Sequence, residues 1–526
     1  MAIISILVIS PKDLLVLTVL FSCSWTICHI IYNLFFHPLH NIPGPFFGRI
    51  SQWPSAYHAR KGDRHIWLQQ CFEKYRNKIR VKPNAILFRS PKAARDIYGS
   101  KANVKRGVFY AAMQRKEEER NTVSTIDNLA HAKRRKLLNL AFTEKSLRAS
   151  AVFMEQHIDR RNELLITDDG GEGWSEPLNF IDMFNTLVFD ILGDICFGKS
   201  FEAKEPGDDP IKAIPHAIEK AVRSMYALVK SPLVGAIPGL RPRGLSRLVH
   251  ALRPKEIIAY DDFVESTLKG RLENRKDPKA SSNALVREDM LHFLTTAVDP
   301  DTGLLAFSDG DIKAETRMLL VAGQDTTSVA MSGLFFYLAH YPKAHAKLVK
   351  EVTSTFPTAE DITPGPKLSS CKYLRACIDE AMRISPPGLS ELPREVMRGG
   401  IIINDDFFPE GTIVGTAGWT DNRNEEVYDE PEIYRPERWI PGEGTTAEGV
   451  SRIKAAFHLF FWGPFNCAGT NFAYQELMLM VAKTVYRLDF RVPPGSNLGE
   501  GPPIFPLIDA YITIRDGPIL QFRKRQ

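Results

Sequence analysis

Two stretches of this chain combine residue types that do chemistry. The first surrounds Cys467, in Phe460-Phe461-Trp462-Gly463-Pro464-Phe465-Asn466-Cys467-Ala468-Gly469. Its glycines and proline predict a tight loop that can lie close against something flat. Ala473, Leu477, Met480, Val481, Thr484 and Leu488 follow at helical spacing, which puts the cysteine just before a helix N-terminus. Unpaired backbone N–H groups and the positive end of the helix dipole favour a thiolate there. A lone thiolate in an apolar, aromatic loop is a soft metal ligand, and one of the few protein ligands of haem iron. An isolated Cys-x-Gly has a blander reading, a small buried hydrophobe in a turn.

The second stretch is Ala322-Gly323-Gln324-Asp325-Thr326-Thr327, set between Met318-Leu319-Leu320-Val321 and Val329-Ala330-Met331. Ser308-Asp309-Gly310-Asp311 is a helix start, and the helical pattern runs to His340, where Tyr341-Pro342 stops it. Such a helix, about 30 residues or roughly 45 Å, is long enough to cross a whole domain. A glycine at its centre costs about 1 kcal/mol against alanine, and a hydroxyl there can bond back to the preceding turn. One explanation is a local polar network that holds a neighbouring helix. The other is a groove at Gly323 that admits dioxygen, with Asp325 and Thr326 relaying protons to it. An acid brings protons from solvent, and a hydroxyl both donates and accepts.

Further elements must hold these two stretches in place. Leu374, Cys377, Ile378, Ala381 and Met382 make an apolar helix face, and on the same helix Glu380 and Arg383 stand three apart, where side chains meet. Tyr434-Arg435-Pro436-Glu437-Arg438-Trp439 supplies another arginine on the approach to Cys467. Four consecutive basic residues, Lys133 to Lys136, read as a solvated helix face. Ile79-Arg80-Val81-Lys82 and Ala85-Ile86-Leu87-Phe88 read as a small sheet, Phe407–Thr416 and Ala510–Phe522 as short strands, and Gly270–Asn283 as an exposed connection.

Leu14 to Phe36 is a mostly apolar run without a charge, roughly 35 Å as a helix and enough to cross a bilayer. It is longer than a signal-peptide core, and no small-residue cleavage site follows, so a retained anchor is expected. Pro38, Pro43 and Pro45 then stiffen the chain. The net charge of +5 is small for 526 residues and argues against a nucleic-acid partner. Seven scattered cysteines show neither a disulfide framework nor zinc spacing, which fits a reducing compartment.

Taken together, the Cys467 loop, the Ala322–Thr327 segment, the Glu380/Arg383 pair and the Arg438 segment resemble, in order and spacing, the motifs of the cytochrome P-450 (haem-thiolate) monooxygenases, and in style the microsomal members of filamentous fungi. The resemblance implies a mainly α fold, a large helical domain with small β-sheets behind one transmembrane helix. Residues 1–37 would be the anchor, 38–45 a proline-rich hinge and 46–526 the catalytic domain. It implies haem b with Cys467 as axial ligand to the iron. Phe460, Gly463, Gly469, Ala322 and Gly323 would lie against the haem, and Arg135 and Arg394 would hold its propionates. Asp325 and Thr326 would deliver protons, while Glu380, Arg383 and Arg438 would be structural. Two positions depart from the family: Phe465 stands where Arg or His pairs with a propionate, and His131 where a Trp is usual. Lys133, Arg134 and Lys136 would help dock an electron donor.

By the same resemblance, electrons would come from NADPH through a separate cytochrome P-450 reductase, with cytochrome b5 as a second donor. The setting would be the endoplasmic reticulum membrane with the catalytic domain facing the cytosol. One oxygen atom would enter a lipophilic small molecule, in the tailoring of a fungal terpenoid, polyketide or alkaloid. The alternatives are hydroxylation of a xenobiotic, fatty acid or aromatic acid, an O2-independent haem-thiolate isomerase or dehydratase, and a non-catalytic haem protein.

Overall fold

The computed structural model describes residues 10–114, 118–166, 173–235, 255–275, 289–496 and 503–526. An α-helix, Pro11–Ile31, continues as a π-helical turn, Tyr32–Phe36. This segment of 26 residues has a mean hydropathy of 2.1, and its most apolar window is unburied. Its hydroxyls do not interrupt it: Thr18, Ser22 and Thr26 each donate to the carbonyl four residues earlier, at 2.7 Å. That is how a polar group is carried through an apolar helix.

The proline segment after it is no free tether. Arg80 donates its backbone N–H to Pro43 O at 2.8 Å and its Nη1 to Asn33 O at 2.8 Å. Leu39 is buried with Ile86, Phe88 and Ile403. A Cβ on Gly44 would stand 2.2 Å from Arg80 O, so the two backbones touch as only glycine allows.

The body is mainly helical, and its largest core lies between helices Phe180–Leu192, Asp309–His340, Lys372–Ile384 and Thr470–Arg487. The helix Asp309–His340, hereafter the long helix, starts where expected, with Ser308 and Asp311 forming a capping box, and is bounded by Tyr341. A five-stranded sheet flanks this body. Its order is Lys78–Lys82, Ala85–Phe88, Ile413–Thr416, Arg394–Val396, Val104–Arg106, with one parallel pair, Ala85–Phe88 on Ile413–Thr416. Smaller sheets include the hairpin Ile508–Ala510/Ile512–Ile514, which packs against the long helix.

One expectation changes. Gly270 to Arg275 belongs to the helix Lys255–Arg275, because Leu268 and Leu272 carry its buried stripe past the glycine; the remainder of the expected connection, 276–283, lies outside the described residues. In the basic run Lys133 pairs with Asp299 at 2.8 Å and Asp301 at 3.0 Å and Arg134 with Asp311 at 2.8 Å, while Lys136 is exposed.

Candidate active site

The cysteine loop is held from both sides. Cys467 donates its backbone N–H to Phe460 O at 2.9 Å, and the Phe460 ring lies 5.1 Å from that of Tyr474, one turn into the following helix. Phe461 stacks edge-on against Tyr98 at 4.6 Å. Gly463 has φ +65°, and a Cβ there would come within 2.6 Å of Tyr98 O. Its glycine is therefore required for the loop to dock on the Tyr98–Ser100 backbone. Cys467 itself is exposed on its loop, whereas Cys71, Cys196, Cys371 and Cys377 are buried. A small apolar side chain turned out of the core calls for a ligand more than a packing role.

The helix start does not by itself make Cys467 a thiolate. Although the residue is exposed on its loop, the protein packed around its sulfur displaces enough water to push the thiol up, and the Gly469 N–H, the Thr470 hydroxyl and Arg135 only partly offset this. Deprotonation at this position belongs to metal binding, where the cation's charge removes the proton outright.

Around Phe465 stands a cluster of cations. Arg106 and Arg394 are direct cross-strand partners in the sheet, and each guanidinium lies 4.9 Å from the Phe465 ring centre. Both are buried, and each has an Nε without a hydrogen-bond partner. His131 is buried against the same ring at 4.6 Å, with Nε2 unpartnered; burial and the three arginines depress it to about 3, so it is a neutral imidazole. Arg135 reaches the cysteine loop from the helix Asn128–Leu138, donating to Asn466 O at 2.5 Å and Asn466 Oδ1 at 2.9 Å. On the outer face of the same strands Lys105 meets Glu395 at 3.3 Å, the ordinary cross-strand solution. The inner face has no such acid: among the described residues, none of Arg106, Arg135, Arg394 and His131 pairs with a carboxylate.

Like charges directly opposite in a sheet destabilise it, and although Arg106 Nη1 donates to Thr122 O and Arg394 Nη1 to Tyr110 Oη at 2.9 Å, a buried positive charge without a counter-charge costs more. The donor set thus suits a bound dianion beside the cysteine, and a haem presents two carboxylates there. The residues fit the group that the sequence implied. At Phe465 the loop brings no cation of its own, and Arg106, in contact with that ring, stands where it could supply one. Arg106 was legible in the alternation Val104-Lys105-Arg106, which turns it to the same face as Val104.

The acid–alcohol pair sits at the centre of the long helix. Thr326 donates its hydroxyl to Ala322 O at 2.6 Å, which leaves its lone pairs as acceptors. Asp325 is buried, and burial lifts its carboxyl to about 7 against the pull of Arg515, with Glu219 adding to the rise. Gly323 has a packing reason of its own, since a Cβ there would meet Leu192 at 3.0 Å. Gln324 donates to Asn185 O at 2.7 Å, so the segment is fixed to the helix Phe180–Leu192. On its other side Thr327 donates to Glu476 Oε2 at 3.2 Å, which ties the long helix to the one that follows Cys467. Glu476 is fully buried, and burial raises it to about 8, so at neutral pH it is largely a protonated acid. Its place inside the apolar stripe Phe472, Glu476, Leu477, Met480 was the signal for it in the sequence. One turn before Ala322, Met318 and Val321 line a cavity of about 130 Å³ shared with Met113 and Tyr260.

Glu380 ties the helix Lys372–Ile384 to the segment Arg435–Trp439, which precedes the cysteine loop in the chain. It accepts from Arg383 Nε and Nη2 at 2.9 Å each, from Arg438 Nε at 2.8 Å, from the Arg435 N–H at 3.0 Å and from Trp439 Nε1 at 2.9 Å. All three charged side chains are buried.

A helical domain with an outward cysteine before one helix, a carboxylate-accepting cluster beside it and an acid–alcohol pair in a crossing helix defines a haem-thiolate oxygenase. The comparisons agree: residues 38–503 match the cytochrome P-450 family, and the chain belongs to it. Similar proteins include the cytochrome P-450 monooxygenase apf7 of Gibberella fujikuroi, 32% identical over 523 residues (95% of this chain and 96% of that one). The cytochrome P-450 monooxygenase poxM of Penicillium oxalicum is 31% identical over 500 residues, with 94% and 92% covered. The cytochrome P-450 monooxygenase fscF of Fusarium equiseti is 32% identical over 511 residues, with 94% and 93% covered. The protein is a cytochrome P-450 monooxygenase with one N-terminal helix apolar enough to serve as an anchor.

Proposed function

We propose that this monooxygenase carries out an oxidative tailoring step on a lipophilic intermediate of fungal secondary metabolism, anchored in the endoplasmic reticulum membrane with its catalytic domain in the cytosol and supplied with electrons by NADPH-cytochrome P-450 reductase. The observation that carries the chemistry is the link between the two stretches: Thr327, next to Thr326, is bonded to Glu476 on the helix that Cys467 precedes. It ties the turn that carries Asp325 and Thr326 to the helix that follows the Cys467 loop. The fungal relatives support the metabolic setting, and the Pro11–Phe36 helix supports the anchor.

In this reading, haem b supplies dioxygen activation when bound. Cys467 Sγ would hold its iron. Arg106, Arg394, Arg135 and neutral His131 would hold its carboxylates, and Phe460, Gly463 and Gly469 would shape the loop against it. Ala322 and Gly323 would line the site from the long helix. Asp325, with a carboxyl near neutral pKa, can both take up and release a proton at working pH. Thr326 accepts that proton on Oγ1 and passes on its own as the bond to Ala322 O breaks. Glu380, Arg383 and Arg438 hold the loop in register and touch neither substrate nor haem.

The test is reconstitution with reductase and NADPH under labelled dioxygen, using extract from a strain of the source organism lacking the gene. Incorporation of one labelled oxygen into an accumulated precursor is expected, and Thr326→Ala should keep NADPH oxidation while losing about tenfold or more of the product. Turnover without dioxygen or without reductase would overturn the monooxygenase reading. A gene-deletion strain with an unchanged metabolite profile would overturn the biosynthetic one.

A further inference from the structure

The geometry points to Arg515 as a recognition site for a carboxylate on the substrate, so that the molecule oxidised here is an acid with an apolar body. The inference rests on the reading above, that the face of the long helix around Asp325 and Thr326 meets substrate.

Arg515 follows the strand Ile512–Ile514 and is 8% exposed. Its Nε and Nη2 are buried without any hydrogen-bond partner. Among the described residues its guanidinium makes no hydrogen bond or ion pair. Other fully buried arginines of this fold are provided for: Arg64 pairs with Glu391 at 2.6 Å, and Arg383 and Arg438 share Glu380. Arg106 and Arg394 lack an acid but donate to Thr122 O and to Tyr110 Oη, and Arg80, also without an acid, donates to Pro83 O and Asn33 O. Arg515 differs from all of these in making no hydrogen bond among the described residues, and a buried guanidinium without acceptors is costly unless a ligand completes it.

Its surroundings fit that role. The hairpin is pinned, since Thr513 donates its N–H to Pro387 O at 2.9 Å and its hydroxyl to Pro386 O at 2.7 Å. On the other side Tyr511 lies 5.2 Å from Phe109. The charges that face Arg515 are Asp325 on the long helix and Glu219 on the helix Ile214–Val229 above it, both within electrostatic reach and neither in ion-pair contact. Val222, Leu319 and Val321 are partly buried hydrophobics on the same two helices. An amphiphile would place its carboxylate on the planar fork of Arg515, which matches two carboxylate oxygens at once, and its chain along the apolar wall. Glu219 competes for the same cation, so it sets the affinity for the acid.

The rival role is internal: Arg515 as the counter-charge of Asp325, acting on every substrate alike. Titration of the full-length, haem-loaded protein with dodecanoic acid and with methyl dodecanoate separates the two, read as the substrate-induced shift of the haem absorption band. Wild type is expected to bind the acid about tenfold or more tightly than the ester. Arg515→Leu should erase that preference while leaving ester binding unchanged, Arg515→Lys should retain part of it, and Glu219→Gln, on a helix that keeps its other contacts, should tighten the acid about threefold or more. Equal binding of acid and ester by wild type, or equal loss of both in Arg515→Leu, would overturn the assignment. A wild-type protein whose spectrum lacks thiolate-ligated haem would overturn the reading of the haem site, and this one with it.

Discussion

Replacing Glu380 by Gln probes whether the cysteine loop is held by the buried charge knot. The substitution keeps the size of the side chain and removes its charge, and the amide can present only one oxygen to five donors. Arg383 and Arg438 are then left buried without a counter-charge. Breaking a buried ion pair by removing one partner costs about 3–5 kcal/mol, and here one carboxylate serves two guanidiniums, so the upper end applies. Against a total stability of about 5–15 kcal/mol, such a loss unseats the loop that carries Cys467. Burial alone would raise the Glu380 carboxyl, but Arg383 and Arg438 outweigh it and hold it below its ordinary value. A depressed folded-state pKa contributes stability that is fully present above the unfolded value and lost as pH falls through the folded one. The penalty of Glu380→Gln should therefore be largest at neutral pH and shrink in acid. The assay is urea unfolding at several pH values together with haem content per protein. The expected variant is destabilised by about 3 kcal/mol or more and poor in haem, with the substrate preference of its residual holoenzyme unchanged. Full haem loading, a loss under about 1 kcal/mol, or a penalty independent of pH would refute the reasoning.

Three further outcomes follow from the geometry. Asp325 is held at about 7 by burial, so its folded pKa exceeds the unfolded one and wild-type stability falls as pH rises between them; Asp325→Asn should lack that slope, gaining on wild type by a few kcal/mol from pH about 4 to about 7 and levelling off above, as read from denaturant midpoints. Arg106→Leu should lose haem about tenfold faster to a haem-scavenging protein, while its haem-free form is no less stable than wild type because a like-charge cross-strand pair is relieved. Gly463→Ala forces a Cβ to 2.6 Å from Tyr98 O, whereas Gly469→Ala meets Phe142 at an ordinary 3.5 Å; haem loading should fall much further in the first than in the second.

The sequence alone determined the parts list. The spacing of Gly463, Cys467 and Gly469, the polar break at Asp325-Thr326-Thr327 inside an apolar helix, the helix start at Ser308 and the uncharged run before Phe36 are local patterns, set by residue type over a few turns of chain. The tertiary structure decided what those parts meet. It put Arg106 opposite Arg394 across two strands that lie far apart in sequence, with both guanidiniums against the Phe465 ring. It paired Lys133 with Asp299 and Asp301, and Arg134 with Asp311. It also showed burial raising the Cys467 thiol against its helix dipole, and left Arg515 without a partner. Charge balance and desolvation depend on everything within several ångströms, whatever its position in the chain, so these are properties of the packed molecule and not of any motif.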